Sequence, residues 1–237
     1  MDLRLRDREV HVWLLPLHAY LEAQPTFAQC LARDERDRAA AYRQADARRQ
    51  FVVTRGALRL LLGRYLNRDA RDVGFEYSAY GKPGLAGEDA WLQFNVAHTT
   101  GWALIALSHR AAVGIDIEAI RLLPDLDHIA ERYFAPGERL VLSSLPYEQR
   151  SPAFYTCWTR KEACLKGVGM GLHQPLDQFD VALDLGGPVV LQLTPTDPEA
   201  HPDWTLLSLP VPDGCAGALA INASDYILCM WKYGGIT

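Results

Sequence analysis

The chain has 237 residues, 49% of them hydrophobic and 10% aromatic, which is enough to bury a sizeable core in one large or two small domains. It has no charge-free apolar run close to eighteen residues, and its charged N-terminus lacks the apolar core of a signal peptide, so we expect a cytoplasmic protein without a membrane span. The five cysteines lack CxxC spacing, which favours buried thiols in a reducing compartment over a disulfide framework or a zinc site.

Charge is divided unevenly along the chain, whose net charge is −5. Residues 1–72 carry 14 arginines and 10 acidic residues, a net charge of +4, and the remainder carries −9. A basic part beside an acidic part fits an anionic ligand held between them with a metal ion on the acidic side. Arginines on exposed helix faces explain the same division without any ligand. Nucleic-acid binding needs a larger basic excess and a recognisable module, so it is not expected.

The spacing of apolar residues predicts a chain of mixed strands and helices. In the first part we expect a strand at His11–Leu17 ended by proline, an arginine-rich helix at Thr26–Tyr42, a helix at Ala45–Leu66, a strand at Val73–Tyr77, a turn at Tyr80–Gly84, and strands at Leu92–Ala97 and Trp102–Leu107. In the second part we expect a strand at Val113–Glu118, helices near Leu126–Tyr133, Gly137–Ser143 and Ala153–Lys166, and strands at Phe179–Leu183, Val189–Leu193, Trp204–Leu207, Ala218–Asn222 and Tyr226–Tyr233.

Two short internal echoes indicate that these parts are related. Phe51–Arg55 and Tyr155–Arg160 both place Thr-Arg inside an apolar helix, and Phe94–Ala97 recurs as Phe179–Ala182. The chain is therefore predicted to be an α+β protein of two related halves that join near residue 110.

The strand Val113–Glu118 carries the first chemical signal. Side chains of a strand alternate between faces, so Asp116 and Glu118 lie side by side, opposite Ile115 and Ile117. An exposed edge strand with an acidic face gives the same pattern. Gly114, which permits a close approach of backbone or ligand, and the wholly apolar other face favour a buried pair that holds a cation such as Mg²⁺ or Mn²⁺.

The helix near residue 160 carries the second signal. Glu162 and Lys166 are four residues apart and share one helix face, a spacing that is also common in surface ion pairs. Because the helix around them, which also carries Trp158 and Lys161, is apolar on nearly all sides, we expect Glu162 and Lys166 to point into a site or an ion network. Three carboxylates and a lysine from a strand and a helix are typical of a metal site that handles phosphate.

Lys82, in a Gly-Lys-Pro turn, and His98, at a strand end, add donors on loops, where phosphate ligands are commonly bound, although each is unremarkable alone. The chain lacks the GxxxxGK[ST], GxGxxG, GxSxG and HExxH motifs, so the enzyme classes that they mark lose their usual support.

Taken together, these motifs resemble those of the Sfp-type 4′-phosphopantetheinyl transferases. The resemblance runs in order through Gly81-Lys82-Pro83, Phe94 to His98, Val113 to Glu118, Phe134 with Glu138, and Trp158 to Ala163 with Lys166. It implies a fold of two pseudo-symmetric α+β halves, residues 1–110 with coenzyme A contacts and residues 111–237 with the metal site and catalytic helix. It also implies transfer of phosphopantetheine from coenzyme A to a serine of an apo acyl or peptidyl carrier protein, with release of 3′,5′-ADP.

The resemblance also implies roles for individual residues. Asp116, Glu118 and Glu162 would hold Mg²⁺ with the coenzyme A pyrophosphate, Glu162 would be the general base, and Lys166 would stabilise charge on the phosphates. Other coenzyme A contacts would come from Lys82, His98 and Arg49, and from Asp116 through the metal.

The sequence departs from the family pattern at two places. Ala97 stands where the family often has a serine, which removes one hydroxyl donor, and the basic cluster expected at 33–38 is interrupted by acids, so the arginine that meets the 3′-phosphate is not identified. Residues 121–150 are the expected carrier-docking region, with Arg121, Arg132 and Arg139 as contacts to an acidic carrier helix. Two halves in one chain make a monomer the expectation.

Two rival functions fit parts of the sequence. One is a coenzyme A-binding or carrier-docking protein that has lost catalysis, although such a protein has no need of a buried carboxylate cluster. The other is a different Mg²⁺-dependent nucleotide or phosphoryl enzyme, for which coenzyme A would not compete with nucleotide.

Overall fold

The structure, a computed structural model, describes residues 3–169, 175–181, 189–192 and 203–234. Six α-helices are described, namely α1 (Gln24–Gln29), α2 (Arg33–Ala41), α3 (Ala45–Leu66), α4 (Leu126–Tyr133), α5 (Pro136–Ser144) and α6 (Tyr147–Val168). The described strands are β1 (Glu9–Pro16), β2 (Glu76–Tyr77), β3 (Pro83–Gly84), β4 (Leu92–Thr99), β5 (Trp102–His109), β6 (Val113–Ala119), β7 (Val189–Gln192), β8 (Asp203–Ser208), β9 (Cys215–Ile221) and β10 (Ile227–Lys232). None of the helices in these ranges is long and apolar enough to cross a bilayer.

Two four-stranded sheets form the centre of the molecule. The first has the strand order β10-β1-β5-β4, in which β1 pairs antiparallel with β5 and parallel with β10. The second has the order β6-β9-β8-β7 and is antiparallel throughout. The C-terminal strand therefore returns to the first sheet, where Glu9 lies opposite Ile227.

Apolar side chains alternate between the two faces of each sheet, and both faces are buried. On β1, Trp13 and Leu15 pack under α3, whereas Val10 and Val12 face the second sheet and share a core with Ile115 of β6. Helix α6 covers the outer face of the second sheet and forms a third core with α4, α5, β8 and β9. The layers therefore run from α3 through two sheets to α6, which agrees with the predicted α+β class.

The two halves repeat one topology. A strand, a long helix and an antiparallel strand pair recur as β1, α3, β4, β5 and as β6, α6, β8, β9, and both long helices have 22 residues. Each half also places a short helix before its long one, and a buried glutamate accepts from the amide three residues earlier: Glu35 from Ala32 and Glu138 from Ala135, both at 2.8 Å.

Those two glutamates also anchor the long helices. Glu35 forms ion pairs with Arg55 and Arg59 of α3, each at 2.5 Å, and Glu138 forms one with Lys161 of α6 at 2.8 Å. Lys161 is fully buried and also donates to two backbone carbonyls, so its ammonium stabilises the fold rather than entering a reaction site.

Several predicted elements need correction. The predicted helix at Thr26–Tyr42 is two helices, because the chain restarts at Ala32, where Glu35 satisfies the free amide. The predicted strand at Val73–Tyr77 is reduced to β2. Helix α6 begins six residues before Ala153, since Pro152 near its start removes only one hydrogen bond.

The predicted repeat of Phe94–Ala97 at Phe179–Ala182 was wrong as a structural repeat. Residues 179–181 form no strand, and residues 182 and 183 of the predicted strand lie outside the described residues, as does residue 193. The counterpart of β4 in the second half is β8, not the segment that starts at Phe179.

Candidate active site

Strand β6 carries the acidic residues and alternates as the sequence predicted. Ile115 and Ile117 are fully buried in the core between the sheets. Gly114, Asp116 and Glu118 occupy the opposite positions, towards α6. The two carboxylates are therefore presented to the helix that carries Glu162 and Lys166.

Gly114 sets the distance between β6 and α6. A Cβ at this position would lie 2.0 Å from the carbonyl oxygen of Ala163 and 2.3 Å from the amide nitrogen of Gly167. Strand and helix backbones thus touch at a point where only glycine fits. This contact places the last turns of α6 directly over the acidic end of β6.

Asp116 and Lys166 meet at this contact. The Lys166 Nζ lies 2.6 Å from Oδ1 of Asp116, which is almost fully buried. Burial raises the pKa of the Asp116 carboxyl above its ordinary value, and the Lys166 ammonium partly offsets that effect. Oδ2 of Asp116 is buried and has no hydrogen-bond partner within the described residues, which leaves one carboxylate oxygen open to a cation.

Glu118 and Glu162 lie in the same electrostatic environment. Burial raises the pKa of Glu118, and the nearby charge of Asp116 raises it further. Burial is also the main cause of the raised pKa of Glu162, opposed by Lys166 and reinforced by Asp116. The charge of Asp116 thus disfavours the ionisation of both glutamates, an effect that a bound cation would relieve.

The donor set fits a hard cation, although it is not preassembled. In the part of the chain that the structure describes, no three histidine, cysteine or acidic side chains stand close enough to coordinate one ion. The Lys166 ammonium is the cation in contact with Asp116. Carboxylate oxygens and the orphaned Oδ2 are the kind of ligand that Mg²⁺ and Mn²⁺ prefer, so the residues present fit such an ion.

A cavity of about 290 Å³ opens beside these residues. Its walls come from both halves: Lys82 and Pro83 from the first, Glu162 and Lys166 from the second. The predicted Gly-Lys-Pro turn therefore does lie next to the predicted catalytic helix.

Lys82 binds the second half directly. Its Nζ donates to the carbonyl oxygens of Gly167, at 2.7 Å, and of Val113, at 3.3 Å. Burial lowers the pKa of Lys82 to about 8. An ammonium has three N–H groups, so these two bonds leave one for a ligand.

His98 and Arg49 differ in their relation to the site. His98 is the last residue but one of β4 and has an exposed side chain, and partial desolvation together with the Lys166 charge lowers the pKa of its imidazole. Arg49 lies on the first turn of α3, exposed and 3.5 Å from Asp46, and none of its described contacts reaches the carboxylates. The charges of Asp116 and Lys166 therefore act on His98, whereas Arg49 is exposed on α3.

Two residues at the site were missed by the sequence analysis. The Thr99 hydroxyl donates to Oε2 of Glu118 at 3.4 Å and accepts from the amide of Ala119 at 3.0 Å. Asn95 accepts from the amide of Ile115 at 3.0 Å. The sequence did hold one signal for these residues: Asn95 and Thr99 are four residues apart on one strand, so their side chains lie on the same face.

Comparison with known proteins gives family matches over most of the chain. The family model described as the 4′-phosphopantetheinyl transferase superfamily matches residues 112–221. A second model, described as 4′-phosphopantetheinyl transferase, N-terminal, matches residues 20–110. The first match includes β6 and α6, and the second includes Lys82 and His98.

Individual relatives match over 70–98% of the chain. The chain is 36% identical over 237 residues to the 4′-phosphopantetheinyl transferase HetI of Nostoc sp. (strain PCC 7120), covering 98% of this chain and 95% of the relative. It is 30% identical over 209 residues to the 4′-phosphopantetheinyl transferase Sfp of Bacillus subtilis (strain 168), covering 83% and 89%. A putative 4′-phosphopantetheinyl transferase of Synechocystis sp. (strain PCC 6803) is 36% identical over 170 residues, covering 70% and 68%.

Proposed function

This chain belongs to the 4′-phosphopantetheinyl transferase superfamily, and we propose that it transfers the phosphopantetheine group of coenzyme A to a serine hydroxyl of an apo carrier protein in a Mg²⁺-dependent reaction that releases 3′,5′-ADP. The observation that carries this proposal is the meeting of Asp116 on β6 with Lys166 on α6, beside Glu118 and Glu162. In this scheme residues 1–110 make most of the coenzyme A contacts, and residues 111–237 carry the metal ligands and the catalytic helix.

Asp116, Glu118 and Glu162 are the proposed metal ligands. A bound Mg²⁺ would neutralise pyrophosphate charge and help to orient it for in-line attack, and Mn²⁺ takes the same kind of oxygen ligands. For the three carboxylates to converge, Lys166 leaves Oδ1 of Asp116 and turns to the phosphates. The pKa values of the three carboxyl groups are raised because these groups are held in a buried site without a cation.

Glu162 and Lys166 are the proposed catalytic residues. Glu162 accepts the proton of the carrier serine, directly or through a water molecule. The serine oxygen forms a bond to the phosphorus that bears pantetheine, and the bond from that phosphorus to the bridging oxygen of the pyrophosphate breaks. Lys166 stabilises the charge that develops on the departing 3′,5′-ADP.

The other proposed coenzyme A contacts are Lys82, His98 and Arg49. Lys82 lines the cavity, the charges of Lys166 and Asp116 act on His98, and each of the two side chains is a nitrogen donor suited to phosphate. Arg49 is exposed on α3 and would bind only a group that extends to that surface. Ala97 supplies no hydroxyl, so backbone amides would replace the missing donor.

The reaction is tested by intact-mass spectrometry. An apo acyl carrier protein and an apo peptidyl carrier protein are each incubated with this protein, coenzyme A and Mg²⁺, with a chelated control. We expect a metal-dependent gain of one phosphopantetheine, and the relative rates rank the carriers. Saturable coenzyme A binding without any mass gain on either carrier would favour a binding protein that has lost catalysis.

Metal binding should stabilise the protein more at higher pH. In the metal-free protein the pKa values of Asp116, Glu118 and Glu162 are raised. At pH values above the ordinary carboxyl pKa of about 4, the folded state therefore holds more protons than the unfolded state. Its stability therefore falls as pH rises through that window, and a bound cation removes this loss. We expect saturating Mg²⁺ to raise the melting temperature by about 3–8 °C at about pH 8, and by clearly less at about pH 4.5, close to the ordinary carboxyl pKa.

Differential scanning fluorimetry of the holo and metal-free protein measures this difference. Asp116→Asn is the control, since it removes a ligand and should abolish most of the Mg²⁺ shift. An equal shift at both pH values would contradict metal binding by these carboxylates.

The carrier is proposed to dock on residues 121–150. Four large apolar side chains there are exposed: Leu122, Leu140, Val141 and Tyr147, with 76%, 72%, 45% and 77% of their surface accessible. Arg121 and Arg132 are exposed beside them, and Arg139 is half-buried. Exposed apolar groups rimmed by arginines fit an amphipathic, acidic carrier helix.

Leu140→Asp should weaken carrier binding selectively. It removes an apolar contact and adds a negative charge towards an acidic partner, so we expect the KM for the carrier to rise about tenfold. The KM for coenzyme A and kcat should stay within about twofold, because Leu140 lies on α5, outside the reaction site.

Steady-state kinetics with varied carrier measures this effect. Ile227→Asp is the matched control, since Ile227 is 58% exposed on β10 in the first sheet. A tenfold change in the control, or none in Leu140→Asp, would place the docking surface elsewhere.

A further inference from the structure

Strands β4 and β6 lie side by side at the junction of the two halves. β4 is the edge of the first sheet and β6 is the edge of the second, and the two sheets remain separate, although the strands are in close contact. The amides and carbonyls on this edge of β6 therefore need partners other than a neighbouring strand.

Side chains of the first half supply those partners. The amide of Ile115 donates to Oδ1 of Asn95, and the amide of Ala119 donates to Oγ1 of Thr99, both at 3.0 Å. The partners are four residues apart on each strand, so the two bonds repeat in register. Lys82 adds a third contact, to the carbonyl of Val113.

The three contacts lie on either side of the two carboxylates along β6. Residues 113, 115 and 119 of β6 direct their peptide groups to the same edge, which is the one that faces β4, whereas β9 occupies the other. Asp116 lies between Ile115 and Ala119, and Glu118 immediately precedes Ala119. Thr99 also donates to the Glu118 carboxylate itself, at 3.4 Å.

We propose that Asn95 and Thr99 are positioning residues, which replace a β-ladder across the two halves and thereby fix Asp116 and Glu118 for the metal ion. This inference rests on the proposed function, because it concerns the same carboxylates. Its basis is the pair of backbone hydrogen bonds on either side of Asp116 and Glu118. Neither residue touches the substrate in this scheme; both act through β6.

Thr99 offers the sharper test. Its hydroxyl makes two bonds at once, one to the backbone of β6 and one to a ligand carboxylate, and valine removes both with little change of shape. Serine retains the hydroxyl. Partners of metal ligands typically contribute 10–100-fold to metal affinity or activity. We therefore expect the Mn²⁺ dissociation constant of Thr99→Val to rise about tenfold.

Mn²⁺ binding is measured directly by electron paramagnetic resonance, on the protein without coenzyme A or carrier. Thr99→Ser should bind within about threefold of wild type, and Thr100→Val, which removes an exposed hydroxyl one residue away, should leave binding unchanged. In the transfer assay, Thr99→Val should need about tenfold more Mg²⁺ for half-maximal rate, with the KM for the carrier unchanged.

Asn95→Leu gives an independent check. Leucine at position 95 leaves the buried amide of Ile115 without its acceptor, and it does not alter the bond between Thr99 and Glu118. We expect the same rise in the Mn²⁺ dissociation constant. Circular dichroism confirms that each variant is folded before binding is measured.

The outcomes separate this inference from the proposed reaction. Wild-type binding of Mn²⁺ by both Thr99→Val and Asn95→Leu would overturn the positioning role, as would equal losses in Thr99→Val and Thr99→Ser. If wild type binds Mn²⁺ but modifies no carrier, the proposed reaction fails and the positioning role is still decided by the Mn²⁺ measurements. Absence of Mn²⁺ binding by wild type, with coenzyme A present as well as without it, would overturn both the metal site and its positioning.

Discussion

Glu162→Gln is expected to reduce carrier modification by at least about 100-fold while leaving the protein folded. Glutamine keeps the size of the side chain but cannot accept the serine proton as a carboxylate does, and it is a weaker ligand for a hard cation. The fold should persist because Glu162 is only partly buried and no hydrogen bond that stabilises the described structure depends on its charge. Intact-mass spectrometry of a carrier under single-turnover conditions measures the loss.

The stability of this variant gives a second readout with a defined sign. Burial and Asp116 disfavour the ionised form of Glu162, so removal of its charge should raise the melting temperature of the metal-free protein slightly. Glu148→Gln, an exposed acid on the first turn of the same helix, is the control and should change neither quantity. Normal turnover by Glu162→Gln would rule out both roles proposed for Glu162.

The core of the site could be predicted because it lies in two regular elements. Strand alternation places Asp116 and Glu118 on one face, and helical spacing places Glu162 and Lys166 on another, from local sequence alone. Helix α3 began and ended at the predicted residues, since its apolar positions are regular and Asn67, in the left-handed conformation, ends it.

Features that depend on distant residues could not be predicted. The break before α2 depends on a glutamate whose side chain caps Ala32 and pairs with α3, and apolar spacing does not reveal such a bond. The placement of β10 beside β1 joins the two ends of the chain, and a local pattern that predicts a strand does not name its neighbour.

The polar contacts between the halves were hidden for the same reason. Asn95 and Thr99 lie in an unexceptional strand, and their importance comes from the strand that happens to lie opposite them. The Gly-Lys-Pro turn indicates a phosphate donor at Lys82 but does not reveal its two carbonyl acceptors on the second half. Pairing across a junction is a property of the assembled fold, so it appears only when both edges are seen together.

Gly114→Ala should be among the most destabilising single substitutions in the chain. A methyl group at this position would lie 2.0 Å from the carbonyl oxygen of Ala163 and 2.3 Å from the amide nitrogen of Gly167, and neither atom belongs to a side chain that could turn away. The substitution must therefore push α6 from β6. We expect a loss of about 3 kcal/mol or more in the free energy of unfolding, at the upper end of overpacking costs.

Chemical denaturation followed by circular dichroism measures this loss, with Gly74→Ala as the matched control, because a Cβ at Gly74 meets nothing within 4 Å. The control should stay within about 0.5 kcal/mol of wild type. Movement of α6 also carries Lys166 and Glu162 away from Asp116, so molecules of Gly114→Ala that remain folded should bind Mn²⁺ less tightly than the control. A change in unfolding free energy as small as that of Gly74→Ala would mean that β6 and α6 are not in backbone contact, and the geometry proposed for the metal site would fall with it.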